Sequence, residues 1–245
     1  MHVERAGERG PVVMLVHGSV LPGWGTWAAQ RPLADEYQLI VPYRTGYPPN
    51  PPLERIDFEV QAGEIAELIE PGTHLVGHSY GGVVSLLAAA KVPERLRSLT
   101  VIEPPAFGVA RGNPDVEALV KRVAEHYAVS GRTPRDFALG FVALVGATPN
   151  IPEVLPPEVE ASIRASMVER DPTEAQIPFD AIREAPFPVL VISGGHHPAF
   201  DAVCDVLEDR LGAQRAVIAG SGHSAQRTGA PLNDRVRQFI DGARS

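Results

Sequence analysis

The 245-residue sequence predicts an α/β protein: a mostly parallel sheet flanked by helices, with a helical cap inserted into it. Three observations lead there. Short apolar runs alternate with helix-like segments, the pattern of a parallel sheet covered by helices. From about Pro104 to Ala185 the chain turns helical and proline-punctuated, with no convincing strand. Alternation then resumes at Pro188-Val189-Leu190-Val191-Ile192. The expected division is residues 1–104 and 186–245 for the sheet domain and 105–185 for the cap.

In chain order, residues 11–16 read as a buried strand ending at His17-Gly18. A loop rich in Gly and Pro leads to a short helix at 27–33. Residues 37–41 are a second strand, followed by the turn-rich Pro42-Tyr43-Arg44-Thr45-Gly46-Tyr47-Pro48. Residues 57–70 carry Phe58, Ala62, Ile65 and Ile69 at helical spacing and stop at Pro71-Gly72. A third strand at 73–77, a small-residue helix at 80–91 and a fourth strand at 96–102 follow. Within the insertion, 116–129, 134–145 and 157–170 read as helices. After the strand at 188–192 come a helix at 199–211, a strand at 215–218 and a last helix at 231–243.

Composition narrows the function. Apolar residues make up 44% and charged residues 21%, which fits a folded chain and not a disordered one. Basic residues number 22 against 30 acidic, a formal charge of −8 without basic clusters. Nucleic acid and anionic membrane, which need basic patches, are therefore not expected as partners. Cys204 is the only cysteine, so no intrachain disulfide can form. Its neighbours Ala202, Val203, Val206 and Leu207 predict a buried helix-packing thiol. The start lacks the apolar core of a signal peptide, and the longest apolar stretch, 83–90, is too short to span a bilayer. A cytoplasmic monomer or homodimer acting on a small molecule is the expectation.

The strongest chemical signal is Gly77-His78-Ser79-Tyr80-Gly81-Gly82, between a strand and a helix. A nucleophilic serine must sit on a strained strand-to-helix turn so that its hydroxyl projects above the sheet. Glycines two residues to either side relieve the crowding, and the helix N-terminus offers N–H groups to a developing oxyanion. His17-Gly18-Ser19-Val20 follows the first strand. It supplies a second oxyanion donor, with Ser19 the first choice and Val20 the alternative, beside Tyr80 from the elbow. Gly220-Ser221-Gly222-His223 puts a histidine on a glycine-flanked loop after the last strand, placed to act as general base. His17 reads as loop packing, and His78 as packed beside the nucleophile.

These segments, with the Trp27 region and Pro42 to Tyr47, resemble the α/β-hydrolase superfamily in order and spacing across nearly the whole chain except the cap. The resemblance implies an eight-strand-type sheet, here lacking its first one or two strands. It also implies a Ser–His–acid triad and no cofactor. One departure is evident. The family's acid is expected in a Gly-x-x-Asp-Pro pattern after the penultimate strand, and this sequence reads Gly194-Gly195-His196-His197-Pro198. A cation cannot replace the anion that orients an imidazole.

Two carboxylates remain. Glu103 directly follows the strand at 96–102, in Ile102-Glu103-Pro104-Pro105, and resembles the acid position of the fungal zearalenone lactonases. Asp201 lies four residues past His197, in the first turn of a helix. Glu103 is the assignment taken and Asp201 its alternative. His196 and His197 lack further ligands at metal spacing, so no metal is expected. Tyr127, Phe137, Phe141, Leu144, Val145 and Met167 supply apolar surface in the cap. Phe137 and Phe141 are expected to bind substrate, with Trp24 at the pocket mouth. The expected reaction is hydrolysis of an ester or lactone of a small to medium apolar substrate through an acyl-enzyme on Ser79. Thioester, amide, C–C bond and peroxidase chemistry share the scaffold, as do non-catalytic ligand receptors. A serine at the elbow argues against a dehalogenase, which needs a carboxylate there.

Overall fold

A computed structural model describes residues 1–148 and 151–243. Residues 149 and 150 of the expected cap, and 244 and 245 of the expected C-terminal helical segment, lie outside the described residues. The strands are β1 (His2–Ala6), β2 (Val12–Val16), β3 (Gln38–Tyr43), β4 (Thr73–His78), β5 (Leu96–Ile102), β6 (Val189–Ser193) and β7 (Gln214–Val217). They form one seven-stranded sheet in the order β1-β3-β2-β4-β5-β6-β7. All pairs are parallel except β1 with β3 at the edge.

β1 is not foreseen by the apolar runs. Its burial alternates weakly and His2 and Arg5 are exposed, because an edge strand needs only partial cover. The central strands are the reverse case. β4 and β6 are buried along their whole length, as strands covered on both faces must be.

Side-chain alternation divides the core in two. Met14, Val16, Leu99, Val101, Val189 and Val191 join one apolar cluster. Val13, Leu15, Ile102, Leu190 and Ile192 join another on the opposite face. The first face is covered by α2 (Phe58–Leu68), α3 (Tyr80–Lys91) and α8 (Pro198–Leu211). The second is covered by α1 (Trp24–Trp27), a 3-10 segment at Ala28–Asp35, and α9 (Ala230–Gly242). Fully burying each large side chain contributes about 1.5–3 kcal/mol. Cys204 is buried in α8 as a free thiol, and its burial pushes the thiol pKa up.

Between β5 and β6 lie α4 (Pro114–Ala128), α5 (Pro134–Leu144), α6 (Pro157–Met167) and α7 (Phe179–Arg183). Their starts carry chemical signals. Asn113 and Thr133 cap α4 and α5 by accepting backbone N–H groups of the first turn, and each helix has Pro at its start. The insertion is not uniformly separate from the sheet. Val116, Leu119, Phe179 and Ile182 belong to the main core cluster. Phe137, Ala138 and Ile163 form their own small cluster, packed against Val20, Tyr127 and Phe141.

α6 ends at Met167, short of the expected 170. Glu169 pairs with Ile56 in a parallel bridge. The Ile56 N–H donates to Val168 O at 2.9 Å and the Arg170 N–H to Ile56 O at 2.8 Å. Glu169 is thereby set in an extended segment tied to the sheet domain.

Candidate active site

Neighbouring β4 and β5 leave the sheet in the same way. Gly77 and His78 pair with Val101 and Ile102. The Ser79 N–H then donates to Ile102 O at 2.8 Å, and the Glu103 N–H to Ile192 O at 2.9 Å. Both residues next take positive φ, 53° at Ser79 and 50° at Glu103, and so does Val20 at 73°. These are the three non-glycine residues at positive φ among the described residues. All three stand in loops at the carboxyl ends of parallel strands, where open α/β sheets bind ligands. Such backbone costs energy and persists where the surroundings over-determine it.

The elbow glycines are sterically required. A Cβ on Gly77 would run into Ser85 Oγ and Gly81 O, and one on Gly81 would run into His17 O and Val16 O.

Ser79, His223 and Glu103 come together. Ser79 Oγ lies 2.9 Å from His223 Nε2, and His223 Nδ1 lies 3.2 Å from Glu103 Oε2. The carboxylate can only accept, so Nδ1 carries the proton and Nε2 is free to accept from the serine. Glu103 Oε1 accepts the Gly194 N–H at 2.6 Å. All three residues are buried. Burial holds the His223 imidazole well below the usual histidine range, with His196 and His197 adding to the effect. Burial pushes the Glu103 carboxyl up, and the Gly194 hydrogen bond opposes this.

The other histidines have structural partners. His78 Nε2 donates to His223 O at 2.9 Å and thereby holds the backbone of the candidate base. Its own pKa is lowered to about 3, mainly by burial. His17 Nδ1 donates to Gly18 O at 2.7 Å, and its Nε2 accepts the Arg44 N–H at 2.9 Å. His196 donates from Nε2 to Val145 O at 3.0 Å, with its Nδ1 3.7 Å from Glu103 Oε2. His197, at the expected acid position, caps α8 by accepting the Ala199 N–H at 3.2 Å. Among the described residues no three His, Cys, Asp or Glu side chains stand together as a possible metal site.

The alternative acid is occupied elsewhere. Asp201 Oδ1 accepts from Ser193 Oγ at 2.5 Å and Arg215 Nη2 at 3.2 Å, and no hydrogen bond joins it to His223 among the described residues.

Two cavities meet at Ser79, and Ser19, Phe141 and Val145 also line both. One, of about 140 Å³, has an apolar wall of Phe107, Leu119, Val123, Tyr127 and Phe200. The other, of about 100 Å³, is reached by His223, His78, Gln226 and Arg227. Oxyanion donors are available beside the serine. Tyr80 opens α3, so its N–H has no intrahelical partner. The Ser19 N–H has no hydrogen-bond partner among the described residues. The Val20 N–H is used, donating to Ser166 Oγ at 2.8 Å. Of the two candidate donors, the Ser19 N–H is unpaired among the described residues and the Val20 N–H is not.

Two residues expected to contact substrate, Trp24 and Phe137, line neither cavity. Trp24 is 7% exposed and lines neither cavity; it packs in the second core cluster under the Arg31 guanidinium, 4.2 Å from its ring centroid. Gly23, at φ 49°, turns it inward, where a Cβ would strike the Tyr43 ring. Phe137 is 3% exposed and lies behind Phe141, with their rings stacked at 6.0 Å. Leu144 and Met167 line neither cavity.

Sequence reasoning missed Arg44, Glu169 and Ser166. Arg44 and Glu169 pair at 2.7 Å with side chains 0% and 2% exposed. No local signal marks them, because Glu169 and Ser166 lie more than 100 residues from their partners at the site. Arg44 stood within a recognised turn, without a sign of its partner.

The chain matches the Alpha/beta hydrolase family over residues 13–235, and it belongs to that family. Among curated proteins it is 34% identical, over 121 residues, to a pimeloyl-[acyl-carrier protein] methyl ester esterase of Methylococcus capsulatus. That match covers 49% of this chain and 47% of the relative. The corresponding esterase of Aeromonas salmonicida is 36% identical over 108 residues, 43% of this chain and 42% of the relative. The match thus spans under half the length of either relative. A thermophilic esterase from Thermogutta terrifontis superposes with a TM-score of 0.72 at 23% identity, covering 100% of this chain and 94% of that one. Est816, described as an N-acyl homoserine lactone degrading enzyme, gives a TM-score of 0.67 at 21% identity, covering 97% and 96%. At these identities the two structures speak for the fold. Among the described residues no helix is long and apolar enough to cross a membrane.

Proposed function

We propose that the protein hydrolyses an ester or lactone of a small to medium apolar substrate through an acyl-enzyme on Ser79. The observation that carries this is the continuous relay Ser79 Oγ, His223, Glu103, at 2.9 and 3.2 Å. His223 takes the serine proton as Oγ attacks the carbonyl carbon, and returns it to the leaving alcohol. Glu103 orients the imidazole and offsets the charge that forms on it. The N–H groups of Ser19 and Tyr80 stabilise the tetrahedral oxyanion, and water then releases the acid. Residues 105–185 act as the cap over this site.

The two cavities fit the two halves of an ester. A leaving group must face the base that protonates it, so it occupies the cavity that His223 reaches. The acyl part takes the apolar cavity, whose about 140 Å³ approaches the 150 Å³ of an engineered cavity that holds benzene. The likeness to methyl ester esterases and to a lactone-degrading enzyme supports this class of substrate. A Glu after β5 as the acid also fits the placement in the zearalenone lactonases.

A panel of p-nitrophenyl esters and lactones, with wild type beside Ser79→Ala, tests the reading. Turnover of short acyl esters that disappears in Ser79→Ala is expected. Equal turnover by both proteins overturns it.

A further inference from the structure

We propose that the insertion holds the oxyanion loop in its working shape, with Glu169 and Ser166 as positioning residues for the Ser19 N–H. The proposal rests on reading Ser79 as the nucleophile and Ser19 as an oxyanion donor.

The loop 17–20 cannot hold this shape by itself. Val20 is β-branched and sits at φ 73°, a conformation such a residue adopts only when its surroundings impose it. Two of the bonds that impose it come from the insertion. The Val20 N–H donates to Ser166 Oγ at 2.8 Å, and Ser19 Oγ donates to Glu169 Oε2 at 2.5 Å. The preceding N–H, that of Ser19, has no partner among the described residues, and Ser19 lines both cavities with Ser79.

The sheet domain holds the other side. Arg44 Nε donates to His17 O at 2.9 Å, and Arg44 Nη2 donates to Gly18 O at 2.8 Å. The same Nη2 donates to Glu169 Oε1 at 2.7 Å, and Tyr47 Oη donates to that oxygen at 2.7 Å. Both Glu169 oxygens are therefore engaged: Oε1 takes Arg44 and Tyr47, and Oε2 takes Ser19. Among the described residues it makes no hydrogen bond to His223. Its charge is balanced by one guanidinium that also grips the loop. A buried ion pair is weak evidence for stability in itself. Here it joins two regions at the loop that must meet the oxyanion. Displacing the insertion would free Val20 from its strained conformation and misplace the donor.

Three single variants test this: Ser19→Ala, which keeps the backbone N–H but loses the Glu169 bond; Ser166→Ala; and Glu169→Gln, which keeps shape and loses charge. Arg164→Ala is the control, since Arg164 pairs only with Glu160 on an exposed part of α6. For each, kcat/KM is measured beside the inhibition constants of a tetrahedral boronic acid and of a planar substrate-like amide. The expected result is a fall of roughly tenfold to a hundredfold in kcat/KM and an equal loss of boronic acid affinity. Affinity for the amide stays within about twofold, and Arg164→Ala changes nothing. A structural role alone would weaken both inhibitors together or neither. Unchanged boronic acid affinity in a folded Ser19→Ala, judged by circular dichroism, overturns the proposal. If Ser79→Ala keeps full activity, the underlying reading has failed instead.

Discussion

The sheet domain and the helical insertion meet at Ser79 with different equipment. The sheet brings polar groups to fixed points, each at the end of a strand or in a loop beyond one: Ser79 after β4, Glu103 after β5, His223 after β7. The positions of Ser79 and Glu103 are set by ladder hydrogen bonds that continue one residue past the strands, while the His223 N–H donates to Gly146 O of the insertion at 3.4 Å. The insertion brings apolar surface, Leu119, Val123, Tyr127 and Phe141, on helices that pack through side chains. In the proposed reading, chemistry is tied to residues at strand ends, and selectivity to interchangeable apolar side chains. Substitutions in the sheet should cut turnover for every substrate. Substitutions of the apolar wall residues of the insertion should re-rank substrates, whereas its polar residues Ser166 and Glu169 act on the oxyanion loop.

The sharpest test of this contrast is Glu103→Gln. Turnover should fall by about 10⁴-fold for all esters, as when the acid of such a relay becomes an amide. The variant should be at least as stable as wild type at pH 8. Burial raises the carboxyl pKa of Glu103, so its ionised form works against the fold once pH exceeds that raised value. Kinetics and a thermal melt on one preparation check both points. A less stable variant would mean that the Glu103 charge supports the fold.

Phe141→Ala is the matching change in the insertion. It removes a wall shared by the two cavities, so longer or branched acyl chains should gain relative to acetate by roughly ten- to a hundredfold in kcat/KM. Uniform loss across an acyl-length series would place Phe141 among the residues serving the chemistry.

Acid stability sharpens the contrast further. His17, His78 and His223 are buried and neutral in the folded chain, each with a pKa lowered first by burial. Below about pH 6.5 the unfolded chain takes up protons that the folded chain refuses, so stability falls as pH drops. Each such histidine contributes a slope of about 1.4 kcal/mol per pH unit. Glu103 acts in the opposite direction over the same range, and Glu103→Gln should steepen the fall. Urea denaturation at pH 5, 6 and 7 reads this directly. Asp201→Asn should have the smallest effect, within about threefold in turnover, because Asp201 pairs with Arg215 and Ser193.

Much of the sheet was legible in the sequence because its signals are local. An elbow needs Gly77 and Gly81 within two residues of Ser79, and that crowding is local. Glu103 was the assignment taken, with Asp201 its alternative, because it ends an apolar strand and resembles the acid position of some superfamily members; His223 stood out because glycines flank it after the last strand. The network of Arg44, Glu169 and Ser166 was not legible. Its bonds join residues that no spacing relates, and the helical pattern of 157–170 concealed the turn that sets Glu169 into place. Trp24 misled in the other direction. An aromatic residue in a loop rich in glycine suggests a pocket mouth, yet the backbone at Gly23 buries it under Arg31. β1 escaped because an exposed edge strand of five residues carries little apolar pattern.

The central claim is that Ser79 becomes acylated. Acid quenching within the first turnovers of p-nitrophenyl butyrate, followed by intact-protein mass and peptide mapping, tests it directly. One butyryl group is expected, carried on Ser79, and none in Ser79→Ala. Steady turnover with no acylated protein, or the acyl group on another residue, would contradict it.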